Sequence, residues 1–143
     1  MEISGENGKT ANPPERGKDV TELMVAVIEG KLPVVEKMIA EGADVNETGH
    51  GGITALMIAS QKENISFLEK LIDAGADVNA AAISGMTALM GAALSGRAEA
   101  VRLLIEKGAD ITARAKGGMA PADYARKAGH DDIVRLLQAA VKK

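Results

Sequence analysis

Apolar positions recur along this chain at spacings of three and four, and glycine breaks the pattern at short intervals. Leu23, Met24, Val27 and Ile28 follow Thr21, which is placed to N-cap a helix running to about Glu29, with Gly30 ending it. Pro33 then starts a second helix at a position where its missing N–H costs nothing. That helix carries Val34, Val35, Met38 and Ile39, and Gly42 closes it as a left-handed C-cap. The same pair of short helices is predicted at about 54–61 and 65–74, with Asn64 capping the second, and at 87–95 and 98–107, with Gly96 between them. A last helix is predicted over 131–140. Turn formers fill the stretches between pairs: Asp44 and Asn46 in the first, with Gly49, Gly51 and Gly52 allowing positive φ at its tip.

The pairs are copies of one unit. Gly42-Ala43-Asp44-Val45-Asn46 recurs 33 residues later as Gly75-Ala76-Asp77-Val78-Asn79, and again, loosely, as Gly108-Ala109-Asp110-Ile111-Thr112. Steps of 33 also link Thr21, Thr54 and Thr87; Leu23, Leu56 and Leu89; and Ala26, Ala59, Ala92 and Ala125. Val35, Leu68, Val101 and Val134 form a further column, as do Met38, Leu71, Leu104 and Leu137. A fixed period of this length is the signature of a stacked-repeat architecture, in which each unit buries its apolar face only against its neighbours.

These residues resemble ankyrin repeats. The family's Thr-Pro-Leu-His-x-Ala start is present as Thr54-Ala55-Leu56-Met57-Ile58-Ala59 and Thr87-Ala88-Leu89-Met90-Gly91-Ala92, and its Gly-Ala-Asp-Val-Asn ending as quoted above. The resemblance covers about residues 19–141. It departs at the Pro, which is Ala in the two middle repeats, and at the His, which is Met24, Met57 and Met90. Loss of that His removes a side-chain bond to the Thr, so packing is expected to hold each repeat more than is usual. The Ala-Leu-Met variant is similar to what many bacterial ankyrin proteins carry.

The resemblance implies an all-α solenoid of four helix-turn-helix repeats joined by β-hairpin loops, at about 19–49, 50–83, 84–116 and 117–143. The fourth repeat keeps Pro121, loses the Thr, places Asp123 where Met stood, and carries Gln138 where Ile39, Ile72 and Ile105 stand. Polar replacements suit a terminal repeat, so the chain reads as a whole solenoid with its first and last repeats as caps. Residues 1–18, with Gly5, Gly8, Asn12, Pro13, Pro14 and Gly17, are expected to be a tail, disordered or only partly laid on the first repeat.

Composition narrows the function. Aromatic residues are 1% of the chain and there is no cysteine, so a disulfide framework and cysteine-based zinc sites are excluded. The net charge of −3 argues against nucleic acid or an anionic membrane as a partner. Charge is uneven, with a balance of −7 over residues 1–83 and +4 over 84–143. No catalytic, metal or cofactor residue is expected. His50 and His130 stand far apart, no Lys-Ser/Thr pair follows Gly117-Gly118, and Asp131-Asp132 read as helix-start acids. The column of Met24, Met57 and Met90 reads as core filler rather than a redox stripe.

What remains is a binding surface. In ankyrin repeats it is the concave groove made by hairpin tips and the exposed ends of the first helices. By register this implies His50 and Ile53, Gln61 and Lys62, Ile83 and Met86, Leu94 and Ser95, Arg114, Lys116 and Met119, and Lys127 as partner-binding residues. Ile53, Met86 and Met119 place one large apolar residue on each hairpin, the pattern of a contact patch or, if each packs back against the neighbouring hairpin, of a structural row. The expected function is non-enzymatic binding of a folded protein, as inhibitor, immunity-type or protective partner of an enzyme, by a monomer. The alternative is a structural protein stacking head to tail. The expected home is the cytoplasm, or the periplasm if a signal peptide preceded Met1.

Overall fold

The computed structural model describes residues 19–141, and the tail expected at 1–18 lies outside them. Eight helices follow one another in pairs: α1 (Glu22–Ile28) with α2 (Leu32–Ala40), α3 (Ala55–Ala59) with α4 (Ile65–Asp73), α5 (Ala88–Ser95) with α6 (Ala98–Glu106), and α7 (Pro121–Lys127) with α8 (Asp131–Val141). The first helices of the pairs stack on one another as an inner layer, and the second helices stack as an outer layer. The loops between pairs are tight hairpin-like turns rather than β-hairpins proper. Among the described residues their one bridge is between Ala81 and Thr87, and the first loop holds a single 3-10 turn at His50–Gly52.

Threonine starts the inner helices, as the spacing predicts. The hydroxyls of Thr21, Thr54 and Thr87 accept from the backbone N–H of Met24, Met57 and Met90 at 3.1, 3.3 and 3.3 Å. Met24 partly replaces the missing histidine, its sulfur accepting from the Thr21 N–H at 3.5 Å. In the fourth repeat Ala120 has no hydroxyl to offer, and the cap is supplied from the other direction: the Asp123 carboxylate accepts from the Ala120 N–H at 2.9 Å. Pro33 stands in the first turn of α2 and Asn64 caps α4.

The columns seen in the sequence are the core. Val35, Leu68, Val101, Leu71, Leu104 and Leu137 are buried, as are all three column methionines, Met24, Met57 and Met90. Burying each such aliphatic side chain contributes about 1.5–3 kcal/mol, and the layers hold no aromatic ring but Phe67 in that role. The ends of the stack reveal which way each column faces. Phe67, Ala100 and Ile133 are buried against the preceding repeat, while Val34, with no described repeat before it, is exposed. Val27, Ser60 and Ala93 are buried beneath the following repeat, while Arg126 occupies that column in the last repeat and is exposed. Gln138 is likewise exposed where Ile39, Ile72 and Ile105 are half-buried.

Two sets of polar bonds tie repeat to repeat. Asn46 accepts from the Asp77 N–H at 2.7 Å and donates to the Gly75 carbonyl at 3.1 Å. Asn79 repeats this with the Asp110 N–H and the Gly108 carbonyl, again at 2.7 and 3.1 Å. No further Gly-Ala-Asp turn follows among the described residues, and Thr112 instead bonds back to Asp110, its hydroxyl donating at 2.7 Å. The second set meets the carbonyls at the C-terminal ends of the inner helices, which have no helical partner. Lys62 donates to the Ile28 carbonyl at 2.7 Å, Arg97 to Gln61 at 3.0 Å, and His130 Nε2 stands 3.2 Å from that of Leu94. A carbonyl only accepts, so the His130 bond requires the Nε2–H form.

Candidate protein-binding face

Each loop tip leads straight into an inner helix, so tips and inner helices share one side of the stack. Each tip is closed across its base by a backbone bond, Gly49 N–H to the Ile53 carbonyl at 2.8 Å, Ala82 to Met86 at 2.8 Å and Ala115 to Met119 at 3.0 Å, and within it by a second, from Gly52, Gly85 and Gly118 back to the carbonyls of Gly49, Ala82 and Ala115. They are then joined to one another in a row. His50, Ile83 and Lys116 each donate a backbone N–H to the preceding tip, at the carbonyls of Asp19, Gly51 and Ser84, all at 2.8 Å. The approach is close enough to demand glycine at Gly85, where φ is +88° and a Cβ would lie 2.8 Å from the Ala115 Cα. The row of tips is therefore one bonded edge rather than three independent loops.

This bonding decides where the apolar tip residues sit. Ile53, Met86 and Met119, whose carbonyls close the tips, are half-buried in all three repeats. The apolar tip residue that stands out is Ile83, 70% exposed, because its backbone is spent on the bond to Gly51 while its side chain is left uncovered. On the inner helices Leu94 is 43% exposed and Ile28 47% exposed, one at the end of α5 and one at the end of α1. Ile28 joins Ile58, Gln61 and Lys62 in lining a shallow depression of about 300 Å³. Register finds Ile28 in the same column as Gln61, Leu94 and Lys127, so its place on this face is legible from the period.

The remaining expected residues divide by charge and by occupation. His50, Gln61, Arg114, Lys116 and Lys127 are exposed, and Ser95 is half-buried. Lys62 is half-buried and engaged with the Ile28 carbonyl, so it acts within the scaffold. Arg114 donates to the Gly118 carbonyl at 2.6 Å across its own loop. Arg126, which the register gives no reason to select, pairs with Asp123 at 3.0 Å and adds to the basic end of the face. The Ala120 N–H, and after it Arg126 and Arg114, hold the Asp123 carboxyl below the usual carboxylate range against the opposing effect of burial. Among the described residues no three His, Asp or Glu side chains gather as a metal site.

A larger hollow of about 500 Å³ lies on the other side of the molecule, between α6 and α8, lined by Ile105, Leu136, Ala139 and Ala140 with Arg102 and Glu106 at its margin. It is one of a row of outer-layer grooves, each lying between the second helices of adjacent pairs.

The family model described as ankyrin repeats (3 copies) matches residues 23–115. The chain belongs to the ankyrin repeat family. The match ends before α7, and beyond it α7 packs on α5 and α8 on α6 in continuation of the stack. No curated protein matched this ankyrin repeat chain. Ankyrin repeats are generally protein-binding modules and typically carry no catalysis of their own. No helix among the described residues is long and apolar enough to cross a membrane.

Proposed function

We propose that this ankyrin repeat protein binds one folded protein partner through the face made by its loop tips and inner helices, and that it acts by occupying that partner rather than by chemistry. The role that suits such a rigid, single-faced binder is inhibition or protection of an enzyme. The observation that carries the reading is the exposure of Ile28, Ile83 and Leu94 on that one face. Large apolar side chains left uncovered on one preformed surface are what binding anchors look like. Because the tips are bonded into a row, little order has to be gained on association.

The test is affinity capture from the source cell with the wild type, the groove variant Ile83→Glu with Leu94→Glu, and a control change on the outer layer, Glu69→Lys. Circular dichroism verifies that all three are folded. A partner held by the wild type and the control but lost by the groove variant supports the reading. Equal capture by all three overturns it. The opposed charge of the two halves favours a second reading, head-to-tail self-assembly. That reading requires light scattering to rise with protein concentration and to fall as salt is added.

A further inference from the structure

The charges on the binding face are sorted along its length. The first repeat presents Asp19, Glu22 and Glu29. In the second the one cation, Lys62, is held by the Ile28 carbonyl. Helix α5, with the sequence ALMGAALS, carries no charge at all. The last tip and α7 then present Arg114, Lys116, Arg126 and Lys127, all exposed. Among the described residues Lys116 and Lys127 form no ion pair, and the Asp123 carboxylate beside them is already committed to the Ala120 N–H and Arg126. Asp131 and Asp132 lie across the Gly129 turn, at the start of α8, and form no ion pair with these cations. Ile83 and Leu94 adjoin this basic end: Ile83 is on the tip bonded to the last one, and Leu94 ends the helix that packs on α7.

We propose that the C-terminal half of this face receives an acidic segment of the partner protein, with apolar side chains seated on Ile83 and on Leu94 and carboxylates facing Lys116 and Lys127. This rests on the face being the binding surface at all, and it specifies the chemistry of what binds there. Both parts of the site are needed. The uncharged α5 gives the segment an apolar seat without a competing charge, and the unpaired cations give it direction, because reversing the segment would take its carboxylates away from Lys116 and Lys127 to the end of the face where the acids lie. Charge complementarity of this kind governs orientation and the choice of partner more than raw affinity.

The experiment uses a fluorescein-labelled synthetic peptide alternating Glu with Leu, a twin alternating Lys with Leu, and a third alternating Glu with Gly, each titrated with the whole chain by fluorescence anisotropy. The Glu–Leu peptide is expected to bind, the other two at least about tenfold more weakly. Two substitutions together, Lys116→Glu and Lys127→Glu, are expected to weaken the Glu–Leu peptide about tenfold; among the described residues neither side chain makes an ion pair, Lys116 enters the tip row through its backbone, and circular dichroism verifies that the variant is folded. The proposal is overturned if the Glu–Leu peptide does not bind at about 1 mM, if the Lys–Leu twin binds as well, or if the charge-reversed variant is unaffected. Equal binding of an oligothymidine would also overturn it, since charge alone would then suffice. The two readings separate through the captured partner. Loss with Ile83→Glu and Leu94→Glu but not with the lysine reversals leaves the face standing and removes the acidic segment; loss with neither removes both.

Discussion

Asn79 offers the sharpest test of how the repeats are held together. Its side-chain amide spans the joint between the second and third Gly-Ala-Asp turns, accepting from Asp110 N–H at 2.7 Å and donating to the Gly108 carbonyl at 3.1 Å. Asn79→Ala removes both bonds and leaves two backbone groups without their partner. Each such neutral bond contributes about 0.5–1.5 kcal/mol net. The joint is exposed, so water replaces part of what is lost and the buried-orphan penalty does not apply in full. The expected cost is therefore about 1–2 kcal/mol, which for a domain of this size corresponds to a fall in Tm of roughly 3–10 °C. Thr112→Ala is the matched control: Thr112 occupies the same place in the third copy but bonds only to Asp110 within its own turn. Its loss is expected to cost no more than about 0.5 kcal/mol. Urea unfolding followed by far-UV circular dichroism measures both variants. Asn46→Ala, with the same two distances at the preceding joint, should match Asn79→Ala. Equal costs for Asn79→Ala and Thr112→Ala would refute the idea that the amide bridges carry coupling between repeats.

Three further outcomes are expected. Leu104→Ala, at a position with no exposed surface, should cost about 2–5 kcal/mol in urea unfolding, whereas Ile83→Ala should change stability by less than about 0.5 kcal/mol. Gly85→Ala forces a side chain to φ +88° and into the Ala115 backbone, and should cost about 1–3 kcal/mol; hydrogen exchange should show the Lys116 amide losing protection first. Asp123→Asn should destabilise the fold at neutral pH. Because the folded-state pKa of Asp123 lies below its ordinary 3.8, its contribution is present above that value and lost as pH falls through the lower folded-state value, so the gap between wild type and variant should close there in acid-unfolding curves.

Much of the fold was legible because the period carries physical content. A residue at a given register meets the same neighbours in each repeat, so the caps at Thr21, Thr54 and Thr87 and the buried columns through Leu71 and Leu104 follow from spacing alone. The face was less legible. Ile53, Met86 and Met119 share a column and an apolar character, yet all three are half-buried, because in a tight turn the exposure of a side chain depends on which backbone groups close the turn. Ile83 has no large apolar counterpart in the other tips and is the one left uncovered. The ties to the inner-helix carbonyls stayed hidden for another reason. Arg97 and His130 share a register, each 36 residues beyond its acceptor, but an arginine and a histidine do not read as one column, and Lys62 does the same work from a different register, 34 residues beyond Ile28. Arg126 became readable only once the structure showed that its column points out of the stack.

The two amide bridges at Asn46 and Asn79 have the same lengths in the same frame, which makes those joints interchangeable. An extra copy of residues 54–86 spliced in after Met86 would meet a donor, an acceptor and an Asn of the right kind at both of its borders. Lengthening at the far end is a different matter. There Thr112 offers no amide, and Arg126 would have to go under a new neighbour. As far as the amide bridges go, the stack can thus lengthen from its middle by duplication of one unit, while lengthening beyond α8 needs at least those two positions to change together.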